Sequence, residues 1–552
     1  MILQKLSLLL CVLALCIFQG ECYSLANKRR ILIKGVPSSS HVKINSGIAM
    51  LLKEMGHDVT IIFRSMDAYV DILKQKGIKV LFEPPVSREV KLKHFKIIQD
   101  YQKNGGIHNM WENVGTHLDN MFNYQQTFYQ YLKEQRYDVL ISEQMQYQQV
   151  LANYLEIPLF IQIMNGPGEG EFYQKSHEYV AHSTHFNLIR QFIFQDKPES
   201  QFYYRLQNFM TLVAQRSIIE YNLEDKIHDI IPVNYHNQID IQRYQNITLI
   251  LNIDGVNPNI PTSPTVRYIF PQFKQQVKPG DQQILSPELK EFYSKYEKIC
   301  LVAFGTQYKP TPKQLDEIMQ FMKDVSTSSK GELGLQNEWA FVYAKSDLNM
   351  SSPTDREIVQ RFKERYPRIL IQKFVPQVAL LEHEKTQAFL SHGGSNSMLE
   401  SLEAKVPIII APISVYDQFM HCYHVDELNL GQCVPLIKTN FLTDALRNIE
   451  QDSFYQDNLA QISQVIKQKH YDDPEDFKHW FNNVLDLGDG LSVLRSEQYH
   501  KAQWWQFQDL DIKMTFIFCA AVMFRIILKA LWFIFKSIMA IQIPQKLQQQ
   551  SK

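Results

Sequence analysis

The amino-acid sequence predicts two doubly wound α/β halves followed by a C-terminal membrane-spanning helix. Three observations support this fold class. Short apolar runs rich in β-formers alternate with longer helical stretches, the alternation restarts after a stretch rich in proline and glycine, and a long apolar segment lies near the C-terminus. Parallel strands joined by crossover helices produce such an alternation, because helices cover both faces of the sheet. With 552 residues, the chain has room for two or three domains of about 100 to 200 residues each.

The apolar runs assign predicted strands to both halves. In the first half they are residues 31–36, 58–63, 79–82, 137–142 and 158–163, and in the second half 299–304, 339–344, 368–374, 388–391, 407–411 and 432–436. The stretch from Asp254 to Gly280 contains repeated proline and glycine, which indicates a linker. We therefore expect an N-terminal domain over 25–285 and a C-terminal domain over 286–490. A return segment at 491–511 is expected to pack toward the N-terminal domain.

The N-terminus has the pattern of a secretory signal peptide over residues 1–24. A short n-region with Lys5 precedes an unbroken apolar run from Leu6 to Phe18, and a polar segment closes the pattern. The alternative, a first transmembrane helix, is less favoured because the run is shorter than the roughly 20 residues that a bilayer requires. The mature body is therefore expected in the secretory lumen. The tripeptides that begin at Asn246 and Asn349 are N-glycosylation sequons, which are compatible with that location and with a glycoprotein.

The C-terminal apolar segment predicts a single membrane span over residues 512–541 with a tail over 542–552. Acidic residues such as Asp511 precede the segment, and every charged residue after it is basic. This asymmetry matches the positive-inside rule, with the body in the lumen and the tail in the cytosol. Because Arg525 and Lys529 interrupt the apolar run, an amphipathic helix on the membrane surface is the alternative. Both predictions place the lipid bilayer among the partners.

Composition and charge exclude several classes. The formal charge is −1 and no long basic stripe appears, so nucleic acid is not an expected partner. Seven cysteines are too few for a disulfide-built scaffold, and the sequence does not determine whether Cys422 and Cys433 pair. His421 and His424 share a helical face without a third ligand at a recognisable spacing, so no metal is expected.

The most informative stretch runs from Phe374 to Gln377 and then, after a helical interval, from Phe389 to Glu400. A buried strand is expected to end at Ser391, and the following glycines let the backbone approach a ligand closely. A helix then begins, and its free N–H groups and positive dipole end favour an anion. The sequence therefore predicts a metal-free diphosphate site at this turn.

Other side chains of the stretch suit the rest of a nucleotide sugar. His392 could donate to the phosphates, Glu400 could accept from ribose hydroxyls, and Phe374 offers a flat apolar face to a base. Asp417 and Gln418 follow the next predicted strand, and a carboxylate beside an amide can bind sugar hydroxyls.

From about residue 28 to 540, and most specifically from Phe374 to Gln418, the sequence resembles the membrane-bound, glucuronosyltransferase-like UDP-glycosyltransferases, which have the GT-B fold. That fold consists of two Rossmann-like domains facing across a cleft. The resemblance implies an endoplasmic reticulum membrane protein of single-pass type I topology. It also implies these donor contacts: Phe374 stacked on uracil, Gln377 at the base edge, His392, Gly394, Ser395 and Asn396 at the diphosphate, Glu400 at the ribose, Asp417 and Gln418 at the sugar, and Gly305 and Thr306 in the phosphate-side turn of the donor domain.

In the acceptor half, the resemblance places the general base at His41, just past the first strand. An alcohol is a poor nucleophile at neutral pH, so a neutral imidazole must take its proton during attack. The family orients that imidazole with an Asp at the end of a later strand. Here the matching residue is Glu143, which carries the same charge on a longer arm.

The resulting hypothesis is an inverting UDP-glycosyltransferase without a cofactor, which moves a hexose or hexuronate from a UDP-sugar to a small lipophilic alcohol or phenol. Two alternatives remain open at this point: a catalytically impaired UDP-sugar-binding membrane protein, and a nucleotide-sugar epimerase on the same fold. The sequence identifies neither the sugar nor the acceptor. It is also compatible with a homo-oligomer.

Overall fold

A computed structural model describes most of the chain. The described residues are 28–35, 39–64, 69–85, 118–143, 146–164, 248–251, 266–269, 285–305, 310–346, 353–413, 416–487 and 510–549, with single positions at 210, 231 and 235. The predicted signal peptide, residues 491–509 of the predicted return segment 491–511, and Thr306 lie outside these residues.

The first sheet has seven parallel strands in the order β3-β2-β1-β4-β5-β6-β7. Its strands are β1 Arg30–Lys34, β2 Asp58–Phe63, β3 Lys79–Phe82, β4 Val139–Glu143, β5 Leu159–Met164, β6 Thr248–Leu251 and β7 Val266–Ile269. The five strands expected from the apolar runs are present. The sequence did not predict β6, and the linker prediction was wrong for Val266–Ile269, because this segment pairs with β6 as the edge strand of the sheet.

The second sheet has six parallel strands in the order β10-β9-β8-β11-β12-β13. Its strands are β8 Ile299–Ala303, β9 Ala340–Ala344, β10 Ile369–Gln372, β11 Thr386–Ser391, β12 Ile408–Ile410 and β13 Gly431–Cys433. Every residue of β8 is buried, as expected for a central strand covered by helices on both faces. All six predicted strands are therefore confirmed.

The α-helices within the described residues follow most of the strands. They are α1 Ser39–Glu54, α2 Tyr69–Gln75, α3 Gln126–Glu134, α4 Gln146–Tyr154, α5 Pro287–Lys295, α6 Pro312–Thr327, α7 Pro353–Arg365, α8 Gln377–Leu381, α9 Ser395–Glu403, α10 Tyr416–Glu427, α11 Thr439–Gln451, α12 Phe454–Leu487 and α13 Leu510–Gln549. In each sheet the strand order reverses at its centre, between β1 and β4 and between β8 and β11. Ligands of doubly wound sheets bind at the carboxyl ends of strands at such a switch point.

The long helix α12 carries residues from the C-terminal half back to the first sheet. The ring of Phe481 lies 5.6 Å from that of His57 in an edge-to-face contact, and Asp476 forms an ion pair with Arg267 of β7. His57 Nδ1 accepts a hydrogen bond from the Arg29 N–H at 3.3 Å. Helix α12 therefore contacts both the beginning and the end of the N-terminal sheet region.

The segment from residue 489 onward forms a separate unit. Its helix α13 contains a 29-residue stretch, Leu510–Ile538, in which an 18-residue window has a mean hydropathy of 2.2. Within the described residues, this is the one helix that is long and apolar enough to cross a membrane.

Candidate functional site: the turns around His392

The turn after β11 brings a helix N-terminus to the carboxyl edge of the second sheet. Gly393 has a φ of +87°, a conformation that L-residues with a side chain rarely adopt. Its N–H donates to Ser391 Oγ at 3.3 Å. Gly394 is the N-cap of α9 and offers no side-chain oxygen to the first helical turn. The local geometry is therefore that of an anion-binding helix start.

The imidazole of His392 packs between two glycines from different strand ends. A Cβ atom added to Gly305 would lie 3.0 Å from His392 Cε1, and one added to Gly394 would lie 2.7 Å from His392 Nε2. Both glycines therefore make room for the ring. The turn after β8 therefore meets the turn after β11 at the His392 imidazole. Gly305 and His392 are 87 positions apart in the sequence.

The pairing of the strands explains this meeting. β8 and β11 are neighbours, with Ala303 opposite Ser391, so residues that follow them emerge side by side. Ser346, which follows the third neighbouring strand β9, donates a hydrogen bond from Oγ to the Gly305 carbonyl at 3.1 Å. Sequence reasoning did not find Ser346, because a serine after a strand has no distinctive spacing.

Gln377 and Glu400 were predicted to contact different parts of a nucleoside, and the structure brings their side chains together. Gln377 Nε2 donates to Glu400 Oε2 at 2.8 Å and to Ser397 Oγ at 3.2 Å. Gln377 begins α8, whereas the other two residues lie on α9. Phe374 precedes α8 and the residue is 79% exposed, so the ring is available to stack on a planar ligand.

Helix α10 packs beside the turn after β11 and carries two more of the predicted site residues. Gln418 is buried, and its Oε1 accepts a hydrogen bond from the Ile413 N–H at 3.0 Å. This bond fixes the segment between β12 and α10. Asp417 lies in the first turn of the same helix, and its side chain lies outside the described part of the structure. Ser395 and Asn396 are the first two residues of α9, half-buried at the turn.

His421 is a site residue that sequence reasoning considered only as a metal ligand. Its Nδ1–H donates to the Gly393 carbonyl at 2.7 Å, and the residue is buried. The imidazole therefore holds the central glycine of the turn. Among the described residues, no group of three or more His, Cys, Asp and Glu side chains is arranged to hold a metal ion.

A disulfide joins Cys422 of α10 to Cys433 of β13, with the Cα atoms 4.7 Å apart. This answers the question that the sequence left open. Because Cys422 directly follows His421, the bond ties the helix that supports the turn to the edge strand of the sheet.

The carboxyl edge of the first sheet carries the predicted catalytic pair. His41 lies in the first turn of α1, directly after β1, and Glu143 is the last residue of β4. β1 and β4 are paired, with Lys34 opposite Ser142, and the Ser142 hydroxyl donates to the Lys34 carbonyl. His41 therefore follows the end of β1, and Glu143 forms the end of the neighbouring strand β4. The side chain of Glu143 is outside the described residues, so a contact with His41 stays a prediction.

Sequence reasoning missed a buried charged cluster at this same edge. Lys34 Nζ lies 2.9 Å from Glu83 Oε1, and Arg64 Nε lies 2.8 Å from Glu83 Oε2. The Tyr129 hydroxyl donates to Glu83 Oε1 at 2.7 Å. Burial by itself would raise the pKa of Glu83, but the charges of Lys34 and Arg64 and these hydrogen bonds hold that pKa well below its usual range. The sequence held one signal for this cluster: Lys34, a charged residue at the end of the apolar strand β1.

Two doubly wound parallel sheets, with a helix N-terminus and an imidazole at the second switch point, have the architecture of the GT-B class of glycosyltransferases. The model of the family "UDP-glucoronosyl and UDP-glucosyl transferase" matches residues 30–545. The chain therefore belongs to this family, and the predicted family and fold class are confirmed.

Individual relatives and solved structures agree with this membership. UDP-glucuronosyltransferase 2B17 of Homo sapiens is 26% identical over 252 residues, which are 42% of this chain and 44% of that protein. Putative UDP-glucuronosyltransferase ugt-50 of Caenorhabditis elegans is 27% identical over 248 residues, 44% of this chain and 43% of that protein. The matches thus span less than half the length of these relatives.

Among solved structures, the glycosyltransferase of kitacinnamycin superposes with a TM-score of 0.54 and 16% identity, over 83% of this chain and 99% of that one. A UDP-glucose: anthocyanidin 3-O-glucosyltransferase in complex with UDP gives a TM-score of 0.53 and 15% identity over the same shares. At these identities, the two structures establish the fold.

Proposed function

We propose that this protein transfers a hexose or hexuronate from a UDP-sugar to a hydroxyl group of a small lipophilic alcohol or phenol, with inversion at the anomeric carbon. The single observation that carries the proposal is the His392 imidazole seated between Gly305 and Gly394 at the start of α9. This arrangement places a donor side chain and helix N–H groups at one point, which suits a diphosphate leaving group.

The donor site is proposed from the residues that surround this point. The diphosphate would lie against His392, Gly394 and the first residues of α9, Ser395 and Asn396. Glu400, already hydrogen-bonded to Gln377, would accept from the ribose hydroxyls, and Phe374 would stack on uracil. Asp417 is proposed to contact the sugar. The buried Gln418 holds the loop after β12 through Ile413, which supports an indirect role for its side chain.

The proposed reaction is a single displacement. The acceptor hydroxyl gives its proton to His41 while its oxygen attacks the anomeric carbon, and the bond from that carbon to the UDP oxygen breaks. The electron pair of that bond leaves with UDP, whose added charge His392 and the α9 dipole would stabilise. Glu143 would orient the His41 ring and stabilise the imidazolium. No metal or cofactor is part of this proposal.

We also propose that α13 anchors the protein in the endoplasmic reticulum membrane with the body in the lumen. The length and hydropathy of Leu510–Ile538 support the anchor, and the basic residues after it support the orientation. An acceptor that partitions into lipid would reach such an enzyme from the bilayer.

A turnover assay on the purified full-length chain tests the mechanism. A panel of UDP-sugars is offered with phenolic and sterol acceptors, and both UDP release and the glycoside are measured. We expect His41→Ala to reduce kcat by at least about a hundredfold with unchanged UDP affinity, the range for loss of a general base. His392→Ala should weaken UDP binding as well.

His479→Ala is the matched control, because this histidine is exposed on α12. Full turnover by the His41→Ala variant would contradict the mechanism. Conversion of a UDP-sugar without any acceptor would indicate an epimerase. UDP binding without turnover in the wild-type chain would indicate an impaired binding protein, and a large gain on Glu143→Asp would support that result.

A further inference from the structure

Helix α13 places three basic residues on one face of an otherwise apolar segment. Arg525, Lys529 and Lys536 are all exposed. At about 100° of rotation per residue, Lys529 and Lys536 lie about 40° and 20° around the helix axis from Arg525. We call this face the basic stripe. Lys513 lies about 120° away from it. The three charges thus share a narrow face instead of being scattered around the helix.

An aromatic residue belongs to the same stripe. Trp532 lies about 20° from Arg525 on the side opposite Lys529, and Lys536 Nζ lies 5.2 Å from the centre of its ring. Tryptophan is enriched at the level of lipid headgroups, where its ring meets both apolar and polar surroundings. The pair therefore marks the depth at which the stripe meets the membrane interface.

All three charges can reach that interface from one leaflet. A hydrocarbon core of about 30 Å requires about 20 helical residues, so a span that begins at Ile512 ends near Leu531. Arg525 then lies about 9 Å inside this boundary and Lys529 about 3 Å inside it, within reach of long side chains that extend toward the headgroups. Lys536 already lies beyond the boundary.

We propose that the basic stripe of Arg525, Lys529 and Lys536 binds the phosphate-bearing headgroup of an anionic phospholipid, in the leaflet that holds the C-terminal end of α13. This inference rests on the proposed membrane anchor and is independent of the glycosyl transfer. Clustered basic side chains at the interface attract anionic lipids. A second copy in a parallel dimer is disfavoured as the occupant, because it would bring like charges together at equal depth.

The chain offers a variant of identical composition as the control. Exchanging Lys529 with Leu531 and Lys536 with Ser537 gives K529L/L531K/K536S/S537K. The new lysines lie about 240° and 120° from Arg525, while their depth changes by about 3 Å or less. Net charge, hydropathy and the number of basic residues are unchanged, and only the shared face is lost.

The test measures which lipid lies beside Trp532. Full-length protein is reconstituted in phosphatidylcholine vesicles that contain phosphatidylserine, with one of the two lipids brominated in its acyl chain near the headgroup. The Trp532 signal is the fluorescence difference from the Trp532→Phe version of each protein. At equal mole fraction, we expect brominated phosphatidylserine to quench the wild-type signal about fivefold more effectively than brominated phosphatidylcholine. The exchanged variant should show no preference.

Equal quenching by the two lipids in the wild-type protein would overturn the proposal and favour an acidic helix as the partner. The same preference for phosphatidylserine in the exchanged variant would also overturn it, because basic residues on different faces of the helix would then attract the anionic lipid equally well. Resistance to alkaline extraction checks insertion, and its failure in the wild type would remove the anchor while leaving the transferase proposal intact. If the exchanged variant does not insert, R525Q/K529Q/K536Q replaces it, since fewer charges favour insertion.

Discussion

Gln377 and Glu400 are joined by a side-chain hydrogen bond of 2.8 Å, although 23 positions separate them in the sequence. The amide is held by α8 and the carboxylate by α9. The bond leaves the carboxylate with a fixed direction at the carboxyl edge of the second sheet.

We expect Glu400→Gln to raise the KM for the UDP-sugar by about 10-fold or more, because a hydrogen bond to a charged group is worth about 1.5 to 3 kcal/mol. The kcat should change little if the contact is to the ribose. Steady-state kinetics measures both values, and the exposed Glu382→Gln at the end of α8 is the control. A fall in kcat at unchanged KM would place Glu400 near the reacting atoms instead.

Gly394→Ala should weaken UDP binding by displacing the His392 ring. Gly394 has a φ of −63°, so alanine fits its backbone without strain, and the clash of its Cβ with His392 Nε2 is the expected defect. Isothermal titration with UDP gives the change in affinity. In a His392→Ala background the same alanine should cost little more, since the clashing ring is gone. Equal costs in both backgrounds would show that the ring is not the cause.

Removal of the Cys422–Cys433 disulfide should lower stability. Closure of a loop of this length stabilises a fold by about 3 kcal/mol in the chain-entropy model. We expect the double Cys422→Ala/Cys433→Ala variant to have a lower thermal midpoint and a weaker affinity for UDP, because α10 holds the turn through His421. Calorimetry measures the midpoint, and Cys519→Ala, which removes an exposed free thiol, is the control.

A native-state alkylation experiment tests which of the described cysteines are free and accessible to a reagent. Burial raises the pKa of the Cys300 thiol to about 12, so this residue should not react at neutral pH. Cys519 is a free thiol within the proposed membrane span, where detergent would cover it, so it should react faster with a membrane-permeant reagent than with a charged, water-soluble one. Rapid labelling of Cys422 or Cys433 in the unreduced protein would contradict the disulfide.

Glu83→Gln should destabilise the protein by about 3 to 5 kcal/mol at neutral pH, because Lys34 would then be buried without its partner charge. The pKa of Glu83 in the folded state is lowered from the ordinary value of 4.5. The ionised carboxylate therefore contributes fully to the free energy of unfolding above pH 4.5, and this contribution is lost as the pH falls through the folded-state pKa. The free energies of unfolding of the variant and the wild type should therefore become similar at acidic pH. Denaturation at several pH values measures this, with the exposed Glu54→Gln as control.

Features that lie within one continuous segment could be predicted from the amino-acid sequence. Apolar runs marked β8 and β11 because each buried strand carries its own pattern, and the stretch from Ser391 to Glu400 contains a strand end, a turn and a helix start in order. The C-terminal helix was likewise readable from local hydropathy. These features need no partner from elsewhere in the chain.

The contacts between residues that are distant in sequence became known from the folded structure. The contact of His392 with Gly305, the bond from His421 to Gly393 and the group of Lys34, Glu83 and Arg64 all join separate strand ends. The short strand β7 was not predicted, because the prolines around it indicate a linker and its pairing with β6, which stabilises it, has no signal in the local sequence. Parallel pairing aligns the carboxyl ends of strands that are far apart in sequence, and that alignment has no local signal.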